Sequence, residues 1–239
     1  MKLYAYCVAE CLSYRDETIP GLADRLVRYI EVEELIVAVS EFQSDNVGVT
    51  RQNILRHDAV VRRVLTQTTP LPFRFGTLVT EESLRSFVTA RRNALLERLA
   101  LVHDAVEMSV KIIWQQIGDD PPPIASQSEL GVGAAFLQSK RDELRGNERL
   151  ATQANEIAEW LAGGLQDLIR KQVVNIQPTQ KLVIAGSYLI DRSSESGFRG
   201  SVSQLESQRP ELHFLTSGPW PPYTFANIDL EFETQFGVS

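Results

Sequence analysis

Gly218-Pro219-Trp220-Pro221-Pro222-Tyr223-Thr224-Phe225 places three prolines and three aromatic rings in eight residues. Proline fixes φ and supplies no backbone donor, so the segment is expected to be neither helix nor central strand. A rigid, ring-studded stretch needs a surface to lie on. Either the surface is this chain's own, and the segment is a strap over a core, or it belongs to a partner.

The chain has 239 residues, enough for one large domain or two small ones, and its 43% hydrophobic content is that of an ordinary globular protein. Residues 1–10 alternate like a strand and reach Glu10 without the apolar run of a secretion signal. No stretch approaches the ~20 apolar residues that cross a bilayer. Cys7 and Cys11, four positions apart, do not make a disulfide framework. A soluble cytoplasmic protein is expected.

Charge is unevenly spread. The formal net charge is −7, which disfavours polyanions as partners. Yet residues 51–98 carry nine Arg against Asp58, Glu81, Glu82 and Glu97, a balance of 9 − 4 = +5. Residues 1–50 carry four basic and nine acidic side chains, 4 − 9 = −5. Such blocks read first as intramolecular pairing and solvated helix faces. The sharper alternative is an anion held by the 51–98 face.

Periodicity gives the elements. Residues 2–10 read as a central strand, with Leu3, Ala5, Cys7 and Ala9 on one side and Tyr4, Tyr6 and Val8 on the other. After a turn at 18–21, residues 22–32 and 35–42 read as a hairpin, with a short helix over 22–30 as the competing choice. Thr50 caps a helix reaching about Gln67 whose stripe is Ile54, Val61, Val64 and Leu65, with His57 at its edge. Residues 70–79 read as a strand. Thr80 caps a helix over 81–102 with the stripe Leu84, Phe87, Val88, Leu95, Leu99 and Val102, and acids in its first turn. The second half reads as a strand at 107–115, a proline-rich loop at 118–128, and a helical region over 131–174. Breaks are expected in that region near Arg145-Gly146-Asn147 and Gly163-Gly164. A strand at 181–190, a helix at 196–208 and a strand at 211–217 follow, with an additional short strand near 173–177.

The fold class is therefore α+β: two mixed α/β domains, the second ferredoxin-like (βαββαβ) with a helical insertion. The expected division is 1–105, 106–217, and a C-terminal strap and tail, 218–239, packing back on the chain. Within that tail Ile228, Leu230 and Phe232 alternate with Asp229, Glu231 and Glu233, the pattern of an edge strand or a contact segment.

Chemistry is sparse. Cys7 and Cys11 lack two further soft ligands at close spacing, and His57, His103 and His213 are scattered, so no metal site is indicated. His57-Asp58 and His103-Asp104 point about 100° apart on a helix and form no acid–base dyad. A lone His beside an apolar stripe is a packing or interior hydrogen-bonding residue. Neither Gly131-Val132-Gly133 nor Gly197-Phe198-Arg199-Gly200 makes a phosphate cradle. Trp114 and Tyr188 on sheet strands lack the basic surface that nucleic-acid binding needs. No catalytic residue, cofactor or metal is assigned, and neither nucleic acid nor membrane is an expected partner.

Two segments stay unabsorbed: Leu71-Pro72-Phe73-Arg74-Phe75-Gly76-Thr77, and the proline-aromatic run. Together with Leu3-Tyr4-Ala5-Tyr6, the His57–Val60 element, Glu107–Lys111 and Gly186-Ser187-Tyr188-Leu189, they carry a resemblance. In order and spacing the chain resembles the GvpF/GvpL gas vesicle proteins over nearly its whole length. One departure is Phe136, within Gly133-Ala134-Ala135-Phe136-Leu137, where the family often has Tyr; a hydroxyl contact is lost there and packing is not.

The resemblance implies a non-enzymatic accessory role in building gas vesicles, in association with the small hydrophobic major shell protein and other gas vesicle accessory proteins. Members of the family sometimes occur as minor vesicle components, so the resemblance implies an assembly factor or a minor component, located at the gas vesicle or in the cytoplasm. Arg74, Phe75, Trp220, Tyr223 and Phe225 are the partner-binding candidates. The second reading is a small-molecule or anion-binding module, regulatory or enzymatic, with a polar pocket lined by Arg56, Arg63 or Arg74.

Overall fold

A computed structural model describes residues 2–10, 12, 14, 18–114, 132–176 and 182–226, with backbone alone for 114, 132–148, 182 and 183. The chain divides into two compact units, Met1–Glu107 with Trp220–Ser239, and Met108–Pro219. The acidic tail and the proline-rich loop of the second half lie outside the described residues.

The first unit is built on an antiparallel sheet. β1 (Lys2–Ala9), β2 (Arg28–Val32), β3 (Leu35–Phe42), β4 (Leu71–Pro72) and β5 (Leu78–Val79) are ordered β2-β3-β1-β4, with β5 also on β1. β1 is the central strand its two apolar faces predict. One detail of its alternation changes. A bulge between Ala5 and Cys7 shifts the register against β3. Tyr4, Tyr6, Cys7 and Ala9 therefore all join one buried cluster with Val60, Val61 and Val64, whereas strict alternation would separate the cysteine from the tyrosines. Residues 22–32 are not one strand. A three-residue turn at Leu22–Asp24, with Ala23 and Asp24 at positive φ, precedes β2, so neither one strand over 22–32 nor a helix over 22–30 forms.

Both helix caps are formed as read. Thr50 accepts from the Asn53 amide at the head of α1 (Arg51–Leu65), and Thr80 from the Ser83 amide at the head of α2 (Glu81–Ala90). The buried stripe of α1 is His57, Val60, Val61, Val64 and Leu65. Ile54, expected in it, is 45% exposed. The first turn of α1 is instead tied to the preceding loop, with Asn53 Nδ2 donating to the Gly48 carbonyl at 2.8 Å.

The helix expected over 81–102 is two. Arg91 (φ −108, ψ 14) separates α2 from α3 (Arg92–Val102), in a stretch flanked by the poor helix formers Thr89 and Asn93. The stripe from Leu84 to Val102 is nevertheless buried throughout.

The second unit follows β6 (Ala105–Trp114), α4 (Val132–Leu165), β7 (Lys171–Ile176), β8 (Leu182–Asp191), α5 (Glu195–Gln208) and β9 (Leu212–Trp220). Its strand order, β7-β8-β6-β9, is compatible with the ferredoxin-like expectation. The additional strand near 173–177 is β7, paired antiparallel with β8. α4 runs without interruption through Gly146 and through Gly163-Gly164. A glycine inside a helix costs only about 1 kcal/mol, and Gly146 sits among Arg, Glu and Leu, which favour helix. Gly164 has a packing role, since a Cβ there would lie 2.7 Å from the Leu205 side chain on α5. Beside it Trp160 meets Phe214 edge to face, with the Arg209 guanidinium 5.4 Å from its ring.

Candidate interaction site

The segment 70–79 is not a continuous strand. β4 and β5 each hold two residues against β1, and the chain turns away between them. Thr77 closes the turn: its amide and its hydroxyl both donate to the Arg74 carbonyl, at 3.2 and 2.7 Å. Gly76 sits at φ +91, a conformation a side chain disfavours. Leu71, Pro72 and Phe73 are buried, Phe75 is half-buried and Arg74 is exposed at the tip.

The turn feeds a polar chain into the core. The Gly76 amide donates to the Tyr4 hydroxyl at 3.1 Å. That hydroxyl lies 2.8 Å from His57 Nδ1. The phenol donates to Nδ1 in one imidazole tautomer and accepts from it in the other. Nε2 is buried without a hydrogen-bond partner among the described residues. Burial pushes the His57 pKa down to about 4, only partly opposed by Asp58. The imidazole is caged by Tyr4, Tyr6, Phe75 and Tyr223, with ring centroids 5.7, 5.7, 6.0 and 6.3 Å away.

The proline-aromatic segment closes this cage. Its course differs from the expected one. Gly218 to Trp220 are the end of β9, which takes prolines because it is an edge strand, and residues 223–226 form one helical turn, α6 (Tyr223–Ala226). Pro221 and Pro222 lead into that turn, where a missing amide proton costs nothing, and the Pro222 carbonyl accepts from the Ala226 amide at 2.7 Å.

Three anchors hold Trp220 to Ala226 in the first unit. The Arg62 guanidinium lies 4.1 Å from the Trp220 ring centroid, while its Nε donates to Asp58 at 2.6 Å. Tyr223 packs on His57, and burial, with Asp58 second, pushes its phenol pKa up. Glu107, only 7% exposed, accepts from both the amide and the hydroxyl of Thr224.

The candidate residues thus have different standings. Arg74, Phe75, Trp220 and Tyr223 lie at or near the surface of the first unit. Phe225 is 4% exposed and packs inside the first unit. His57, Tyr4, Arg62 and Glu107 were not among the candidates; each is central to the arrangement. The one sequence signal for them is that Tyr4, His57 and Glu107 stand in the same short elements that carry the resemblance.

The charge blocks pair with each other. Arg56 meets Asp24, Arg92 meets Glu33 and Glu34, and Arg28 meets Glu81. Of the arginines expected to line an anion pocket, Arg56 borders a hollow. This is a dent of about 500 Å³ on the outer face of α1, shared with Arg51, Gln52 and Leu55. Among the described residues no group of three His, Cys, Asp or Glu is placed to hold a metal. Nor is any described helix long and apolar enough to cross a membrane.

Known proteins give the arrangement its context. Gas vesicle protein F1 of Halobacterium salinarum is 26% identical over 87% of this chain and 84% of its own length. Gas vesicle protein L of Haloferax mediterranei is 26% identical over 88% of this chain and 74% of its own. The crystal structure of GvpF from Anabaena sp. PCC7120 superposes with a TM-score of 0.78 at 21% identity, covering 95% of this chain and 98% of that one. That of GvpF from Microcystis aeruginosa gives 0.76 at 20% identity. The family profile described as gas vesicle synthesis protein GvpL/GvpF matches residues 2–227, and the chain belongs to that family.

Proposed function

We propose that this protein is an accessory factor of gas vesicle assembly that binds the hydrophobic major shell protein and stays with the vesicle as a minor component. The family match over residues 2–227 carries the reading. A small, strongly apolar subunit must be shielded from self-association until it joins the growing shell. Shielding asks for apolar area and cation-tipped rings, with no covalent chemistry.

The contact surface in this reading is the rim of the ring cage: Arg74 and Phe75 at the turn, with Tyr223 and the Arg62-stacked Trp220. Rings already held by neighbours lose little conformational entropy on binding, which is the property of interface anchors. Co-purification with the shell subunit tests the proposal. Retention of the shell protein by the parent, and its loss from an Arg74→Glu variant of unchanged melting temperature, is the expected result. Absence of binding by the purified proteins, together with absence from isolated vesicles, would overturn it.

A further inference from the structure

The outer face of α1 combines exposed apolar side chains with positive charge. Leu55 is 56% exposed, and on the flanking loops Val49 is 79% and Leu26 62% exposed. The Asn53–Gly48 bond and the Arg56–Asp24 pair hold those loops beside the first turns of the helix. The hollow of about 500 Å³ lies on this face, lined by Arg51, Gln52, Leu55 and Arg56.

Its electrostatics are one-sided. Arg25, Arg51 and Arg56 against Asp24 leave the area with a balance of 3 − 1 = +2, in a chain of net charge −7. The helix dipole adds to that balance. The N-terminal end of α1 is positive and no acid stands in its first turn, whereas α2 opens on Glu81 and Glu82. Arg51 occupies the first helical position, where the dipole disfavours a cation. The stability of α1 therefore gives no reason for this charge. A negative group arriving from outside gains from Arg51 and from the dipole together.

We propose that the outer face of α1 docks an acidic amphipathic helix of a partner protein. Apolar side chains three and four positions apart on that helix enter the hollow and cover Leu55, Val49 and Leu26. Carboxylates along its edges meet Arg25, Arg51 and Arg56. An anionic membrane suits the face less well. A lipid surface does not enter a hollow, and it repels a chain of net charge −7. None of these residues belongs to the ring cage, so the proposal stands apart from the shell-protein reading.

Two synthetic helices of about four turns test it, alike in their apolar stripe and flanked by Glu in one and by Lys in the other. Titrated into the full chain, the Glu helix is expected to shift the backbone amide signals of residues 24–26 and 48–56. It should bind at least roughly tenfold more tightly than the Lys helix, and salt should erode that preference. Leu55→Ser should weaken the Glu helix by roughly tenfold. Arg25→Glu with Arg51→Glu, at two exposed positions, should reverse the preference. Equal binding of the two helices would overturn the proposal. So would shifts confined to residues 74–77 and 220–226, which would assign the helix to the cage rim. Vesicles of phosphatidylglycerol shifting the α1 amides where neither helix does would make the face a membrane contact instead. Shifts there that grow with protein concentration alone would give it to a second copy, and would equally overturn the proposal.

Discussion

Glu107 and Thr224, 117 positions apart, are joined by two hydrogen bonds to one carboxylate, at 2.8 Å from the Thr224 amide and 2.6 Å from its hydroxyl. An acid receiving an amide near the start of a helical turn acts as that turn's cap. Losing its charge should loosen the whole Trp220–Ala226 strap. Glu107→Gln is expected to lower the stability of the first unit by about 1–3 kcal/mol. Hydrogen exchange at the Thr224 and Phe225 amides should accelerate in the variant. Unchanged exchange there would mean that the stacked Trp220 and Tyr223 hold the strap unaided.

His57 makes stability depend on acid. Its pKa is about 4 in the folded chain, against an ordinary value near 6.5 when unfolded. Between those values the unfolded state binds the extra proton. Stability from this group is therefore complete above pH ~6.5 and falls as the pH drops toward ~4, by about 3 kcal/mol across the window. Urea unfolding at a series of pH values should show this slope, and His57→Gln should flatten it. A slope that survives the substitution would place the titration elsewhere.

Trp220→Ala tests strap against interface. Losing the Arg62 stack and the ring's burial should cost about 1–3 kcal/mol, with melting affected before shell-protein binding. Normal melting with lost binding would assign the ring to the partner instead.

Two neighbouring glycines on α4 should respond oppositely. A Cβ on Gly163 would meet nothing within 4 Å, whereas one on Gly164 would lie 2.7 and 2.9 Å from the Leu205 methyl groups. Gly163→Ala should stabilise the second unit by about 0.5–1 kcal/mol through helix propensity. Gly164→Ala should destabilise it by about 1–3 kcal/mol through overpacking. Thermal unfolding of the pair decides, and a shared sign would mean that Leu205 moves freely.

What could be read in the sequence was short-range. Thr50 and Thr80 announce their helices because a cap bonds three residues away. β1 announces its central place because both its faces are apolar. The bulge at Tyr6, which turns Cys7 and Ala9 toward the tyrosine side, leaves no mark on the alternation itself. Nor does Arg74-Phe75-Gly76-Thr77 reveal that it leaves the sheet, since its alternating phenylalanines imitate a strand and only Gly76 hints at a turn. The Tyr4–His57–Gly76 chain spans 53 and 72 positions, and Glu107–Thr224 spans 117. Partners that far apart are chosen by topology, and periodicity carries no record of them.

The division of the chain has a consequence for synthesis. Residues 220–226 belong to the first unit but leave the ribosome after the whole of the second. Chains are made N-terminus first, and domains complete as their residues appear. The second unit is thus able to close while the first still shows an open ring cage, with His57 not yet met by Tyr223 and Glu107 not yet bonded to Thr224. The nascent protein passes through a stage in which its aromatic surface is wider than in the finished molecule, and translation of the last strap ends that stage.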